Sequence, residues 1–244
     1  MHVHIIQAHP EPNSFNGALT RISEQVLAEF GHTASVHDLY ASGFDPVERG
    51  AHYACRADEN VFAALGEQRH AWKSDMLPVD VRREIERLEW ADLVIFQFPL
   101  WWHAPPAILK GWFDRVFING GIYTSRMRYD TGYFRGRRAM VSVTTGAPQN
   151  AFGPGSRGGD FNTMLWPIHY SLHYVGYDVL PPFVSYGVQG HGYAYQNEAR
   201  LKTHLKQTMD DWAARLSAIE ELSPLRFPGW DDWDADGRAL RLAG

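Results

Sequence analysis

The sequence predicts an α/β domain in which five parallel strands form one doubly wound sheet with helices on both faces. Three observations predict it. Short β-rich runs alternate with amphipathic stretches along the chain. Residues 92–98, DLVIFQF, form a continuous apolar run of the kind covered on both sides. The 244 residues, 45% of them hydrophobic, can build one sizeable core. Residues 2–8 start the sheet, and residues 16–30 place Leu19, Ile22, Val26, Leu27 and Phe30 on one helical face before Gly31 stops it. Residues 33–39 make a second strand. Residues 45–78 are weakly patterned and read as a charged insertion with one helix over 59–72. Helix-spaced residues 81–91 lead into the central strand 92–98. Pro106 suits the first turn of the next helix, which carries Ile108, Leu109, Trp112, Phe113 and Val116 inward. A strand over 138–145 is broken by Gly146, and a helix over 161–175, a strand over 177–184 and a closing helix over 198–222 complete one domain, residues 1–222. Residues 223–244 read as an irregular arm.

The net charge of −5, with acids and bases interspersed, argues against nucleic acid or an anionic membrane as the main partner. No apolar run reaches the ~18 residues that span a bilayer, and the first residues lack the pattern of a secretory signal, so stable membrane insertion is not expected. Cys55 is the only cysteine, which excludes an internal disulfide and a cysteine-based zinc site and fits a cytoplasmic home. His169 and His173 have a metal-compatible helical spacing. With no acidic third ligand in an obvious place, no metal is expected.

Ligands of doubly wound sheets sit beyond the carboxyl ends of the strands, where three loops converge: AHPEPNSFNG, PLWWHAPP and TGAPQNAFGPGSRGGD. The first has neither a dinucleotide fingerprint nor a nucleotide-triphosphate loop. Ser14 and Asn16 stand ahead of a helix and read as its caps, or, with the helix amides and His9, as holders of a phosphate; one residue can do both. In the second loop a core role suits Trp101 more than Trp102. Pro99, Pro105 and Pro106 stiffen it into an apolar wall fit for a planar heteroaromatic ligand. The third is glycine-rich with open backbone. His103 alone reads as a packed or solvated histidine, Asp114 and Arg115 as a solvated pair, and Tyr123 as surface or pocket.

These residues carry a family signature. FQFPLWWHAPPAILKGWFDRVF, preceded by AHPEPNSFN and followed by VSVTTGAP and LWPIHYSLHYVGYDVLPP, resembles the NAD(P)H:quinone oxidoreductases of the DT-diaphorase and modulator-of-drug-activity type, which are flavodoxin-like flavoproteins. The match runs in order from about residue 3 to about residue 230 and is weakest over 45–78 and the tail. The resemblance implies a homodimer that holds FAD, in preference to FMN, and passes two electrons from NADH or NADPH to a quinone by a ping-pong reaction. It implies that His9, Ser14, Phe15 and Asn16 take the diphosphate region, and that Pro99, Leu100, Trp101, Trp102 and His103 line the isoalloxazine. Thr144, Thr145, Gly146 and Ala147 would form its other edge with Phe152 nearby, Asp114 and Arg200 would approach the adenosine half, and Tyr123 would reach the pocket across the dimer. The mammalian enzymes carry a tyrosine and a histidine donor where this chain has Phe152 and Gly158. Negative charge would then rest on the N–H groups of Gly146 and Ala147, or on Arg157, while His103 and Arg128 make the pocket more polar and fit it to acidic, nitro- or azo-aromatic acceptors as well. Two other readings stay open: a flavin-bearing regulatory subunit of a membrane ion-efflux system, and an α/β domain that has lost flavin.

Overall fold

A computed structural model describes residues 1–189 and 197–240. Its elements are β1 (His2–Gln7), α1 (Phe15–Glu29), β2 (Thr33–Asp38), α2 (Ala64–Lys73), α3 (Val79–Trp90), β3 (Leu93–Pro99), α4 (Ala107–Val116), β4 (Arg138–Thr144), α5 (Phe161–Tyr174), β5 (Asp178–Val179), β6 (Phe183–Ser185) and α6 (Glu198–Ser217). The strands run parallel in the order β2-β1-β3-β4-β5, and β6 also pairs with β4. The single last strand expected over 177–184 is therefore two short pieces. Pro181 and Pro182 interrupt it because neither has an N–H for the ladder.

The helices divide between the two faces, as the continuous apolar character of β3 requires. On one side Phe96, Phe98, Leu88, Trp112, Val116 and Leu172 bring α3, α4 and α5 onto the sheet; on the other, Val3, Ile5, Leu19, Leu27 and Trp212 pack α1 and α6. Trp212 also donates its indole N–H to Ser23 Oγ at 2.9 Å, so the largest side chain of the second layer is buried without an orphaned donor. Among the described residues no helix is long and apolar enough to cross a membrane.

Residues 45–78 are woven into the first layer rather than appended to it. Tyr53, Ala71 and Leu77 are buried with the core, and the buried Glu67 accepts from Arg56 Nε at 2.7 Å and from the Ala57 N–H at 2.8 Å. Its helix begins at Ala64 instead of 59, because Asp58 Oδ1 takes the N–H groups of Asn60 and Val61 and offers that backbone a turn in place of a helix. A Cβ on Gly111 would lie 2.1 Å from the Pro46 carbonyl oxygen, so only glycine lets α4 pass so close to this segment. Arg115 anchors the same contact. It is 1% exposed and donates to Asp45 O at 2.8 Å and to Asp80 Oδ2 at 2.5 Å, which corrects the expectation of a solvated Asp114–Arg115 pair. Asp114 instead bonds Lys110 one helical turn away, at 2.6 Å.

The closing helix ends at Ser217, and a 3-10 turn covers Ile219–Glu221. The arm then follows the molecule: Leu225 N donates to Val179 O, Phe227 stacks on His173 at 4.8 Å, and Trp230 and Trp233 pack on Tyr129. Of the histidine pair on α5, His173 donates through Nε2 to Pro228 O, while His169 is buried with no partner for Nε2 among the described residues. The last four residues of the predicted arm, 241–244, lie outside the described residues.

Candidate active site

The carboxyl ends of β1, β3 and β4 bring the three loops together. After β1, Ser14 caps α1 by accepting the Gly17 N–H at 3.2 Å, and the next two N–H groups, of Phe15 and Asn16, have no partner among the described residues. Two free amides at a helix start make an anion seat. His9 stands beside it with Nδ1 3.0 Å from the Glu11 N–H and its ring 6.2 Å from that of Trp101. The Phe15 side chain packs into the α1–α6 core, so its backbone is what it can offer a ligand.

Asn16 does something the sequence did not indicate. It is buried, donates to Thr144 Oγ1 at 2.9 Å and accepts from Gln97 Nε2 at 2.8 Å. This buried trio ties α1 to β3 and β4 beneath the site. Those two bonds hold the Asn16 side chain inside the fold, against Thr144 and Gln97, and not at the helix cap. The sequence marks Gln97 only as a lone polar residue near the end of an apolar strand.

Pro99 ends β3 and is buried, and Leu100 N donates to Thr144 O at 2.8 Å, which carries the ladder into the loop. Trp101 and Ala104 then exchange two backbone hydrogen bonds of 2.9 and 3.0 Å, and the residues between them, Trp102 and His103, have φ of 50° and 62°. This is a type I′ turn, which normally takes Asn-Gly because both central residues are left-handed. A tryptophan and a histidine there store strain, of the kind that concentrates at ligand sites. The turn leaves Trp102 94% exposed and Trp101 42% exposed, so Trp101 is not the core residue it was expected to be.

After β4, Thr145 N donates to Ser185 O, and Thr145 Oγ1 accepts the Ala147 N–H at a long 3.4 Å. The Gly146 N–H has no partner among the described residues. Phe152 turns into an aromatic cluster, edge-on to Phe161 at 4.9 Å and beside Tyr186 at 5.7 Å. A Cβ on Gly158 would lie 2.7 Å from Ala151 O and 3.1 Å from the Phe152 ring, so local packing forbids a histidine at that position. Arg157 is exposed on this loop, which closes on itself through Gly153 N to Gly159 O.

Asp114 and Arg200 are not brought together within one chain: α4 packs on one face of the sheet and α6 on the other. Arg200 is exposed in the first turn of α6. Tyr123 lies beyond the end of α4, edge-on to Tyr174, and lines both an apolar groove of about 870 Å³ between α4 and α5 and a second cavity of about 460 Å³. Trp101, Trp102, His103 and Asp114 line the same groove.

A family model described as flavodoxin-like fold matches residues 1–211. The ribosyldihydronicotinamide dehydrogenase (quinone) of Mus musculus is 36% identical over 229 residues, covering 93% of this chain and 95% of that protein. NAD(P)H dehydrogenase (quinone) 1 of Cavia porcellus is 39% identical over 226 residues, 91% of this chain and 78% of that protein. The chain belongs to the quinone oxidoreductase family of flavodoxin-like enzymes. A crystal structure of a Klebsiella pneumoniae protein superposes with a TM-score of 0.89 at 32% identity, over 98% of this chain and 94% of that one. The Trp102–His103 turn, the α1 amides and Gly146 stand at the carboxyl ends of the strands, where doubly wound sheets hold their ligands.

Proposed function

We propose that this family member is a FAD-dependent NAD(P)H:quinone oxidoreductase working by a two-electron ping-pong exchange in the cytoplasm. The observation that carries the reading is the exposed indole of Trp102, held out on a strained turn at the same strand ends as three backbone amides that have no partner among the described residues. A bound flavin supplies the redox chemistry. The chain's part is to seat, orient and polarise. The N–H groups of Phe15 and Asn16, with Ser14 and His9, take the diphosphate. Trp102, Trp101, Pro99 and Leu100 give one wall, and Thr145, Gly146 and Ala147 the opposite edge. The Gly146 N–H and the loosely held Ala147 N–H donate to negative charge as it grows, with the exposed Arg157 of the same loop as a cation for it, in place of side-chain donors at Phe152 and Gly158. His103 adds a polar edge to the acceptor pocket. Asp114 and Arg200 approach the adenosine half from opposite faces, which requires a second copy of the chain. That copy covers the apolar groove between α4 and α5 and lends its Tyr123 to the pocket. A monomer by sedimentation would remove this last part.

The test is the spectrum of the purified protein, extraction of its cofactor, and steady-state rates with NADH, NADPH and menadione. A yellow protein that releases FAD and gives parallel double-reciprocal plots is expected. A colourless protein that ignores added flavin overturns the reading, and a yellow one that turns over no acceptor shifts it to the regulatory-subunit alternative. Replacing Trp102 separates wall from fold. Trp102→Gly relieves a left-handed residue that costs roughly 1 kcal/mol, so apoprotein stability should hold or rise. Flavin affinity should drop about tenfold with the lost stacking surface. Unchanged affinity by fluorescence titration would take Trp102 out of the site.

A further inference from the structure

Beside the apolar groove, and sharing Tyr123 with it, lies the cavity of about 460 Å³ between the end of α2, residues 119–128 and the end of α5. Arg69, Lys73 and Arg128 line it together with Tyr123 and Tyr174, and no acidic residue does. Among the described residues none of these three cations comes within 4.0 Å of a carboxylate, whereas Arg56, Arg82, Arg87 and Arg115 each pair with one. Neutral acceptors hold the guanidinium groups instead. Arg69 gives Nε and Nη2 to Asn119 Oδ1 at 3.1 and 2.8 Å, and Arg128 gives Nε to Thr124 O at 2.9 Å and Nη2 to Ser125 O at 3.1 Å. Arg128 is fixed further by the faces of Tyr174 and Trp230, at 5.3 and 5.8 Å. Close packing sets Arg69: a Cβ on Gly120, at φ +85°, would meet its Cγ at 2.7 Å.

Uncancelled positive charge, oriented in advance and flanked by two phenol rings, is what recognises an anion attached to an aromatic body. We propose that this cavity binds the carboxylate, sulfonate or phosphate group of an aromatic ligand, and that the ring of that ligand extends past Tyr123 toward the groove. The inference rests on the proposed reductase reading for what the ligand then does; its binding does not. Two sources share this chemistry, an acidic aromatic acceptor and the phosphates of the nicotinamide dinucleotide.

Calorimetric titration with naphthalene-2-sulfonate and with neutral 2-naphthol, on flavin-loaded protein, tests it. The sulfonate should bind more tightly, and the preference should fall about tenfold in Lys73→Gln, whose side chain makes no hydrogen bond or ion pair among the described residues, and in Arg69→Gln. It should also weaken with added salt. Equal affinity for the two naphthalenes, or a preference untouched in both variants, overturns the proposal. Titration with NADPH and NADH identifies the source: a loss of affinity for NADPH in Lys73→Gln, with or without a matching loss for NADH, assigns the anion to the dinucleotide, and a loss confined to the sulfonate assigns it to the acceptor. A flavin-loaded, active enzyme without sulfonate preference defeats this inference alone. A flavin-free protein that keeps the preference defeats only the reductase reading.

Discussion

Acidification from about pH 7 to about pH 4.5 is expected to remove several kcal/mol of folding stability, with His4 and His169 as the main cause. Both are buried, and burial lowers each from its ordinary 6.5 to about 4. Around His4, in β1, Glu84 opposes that effect while Arg87 and His37 add to it. Each ring is neutral in the fold and takes up a proton readily only once the chain unfolds. A depressed folded value means that the stabilisation is complete above pH 6.5 and drains as pH falls toward 4. Each contributes on the order of 3 kcal/mol. Glu84 acts in a lower window: burial raises its carboxyl, but hydrogen bonds from His37 and Trp112 outweigh burial and leave it below the ordinary 4.5. Urea unfolding of wild type, His169→Leu and His4→Leu across this range checks the assignment. Each variant should flatten the slope above pH 4.5 by about half; slopes equal to wild type would hand control to carboxylates.

Gly17→Ala should damage both the fold and the site. The added Cβ would lie 2.1 Å from the Pro12 carbonyl oxygen, and the backbone of residues 9–14 must move to admit it. Overpacking of this kind costs about 1–3 kcal/mol. Because the displaced loop presents Ser14, Phe15 and Asn16, flavin affinity should drop by about tenfold or more in the same variant. Gly66→Ala is the control. Its nearest neighbour is Ala63 Cβ at 3.7 Å, so it should gain roughly 0.5–1 kcal/mol from helix propensity and leave flavin untouched. Flavin binding that survives Gly17→Ala would detach the α1 amides from the diphosphate.

Much of the architecture was legible because the signals are local. Helix spacing placed α1 and α5 within about two residues of where they run, and the unbroken apolar character of DLVIFQF marked β3 as the covered centre. Pro181–Pro182 carried the information that the last strand would break, but the apolar residues around it outweighed two prolines in a periodicity reading. Asp58 likewise held the late start of α2, since its side chain competes with a helix through bonds only two and three residues long.

The sequence by itself determined the α/β alternation, the three loops at the strand ends, and the family, each a property of residues near one another or of motifs kept in order. Only the tertiary structure decided how those loops are built. Asn16 meets Gln97 and Thr144 across 81 and 128 residues of chain, Arg115 finds Asp80 and the Asp45 carbonyl, and Trp102 and His103 are forced left-handed by closure of their turn. The partner of a buried polar group is chosen by three-dimensional proximity, and the strain a residue bears by what surrounds it, neither of which composition or spacing records.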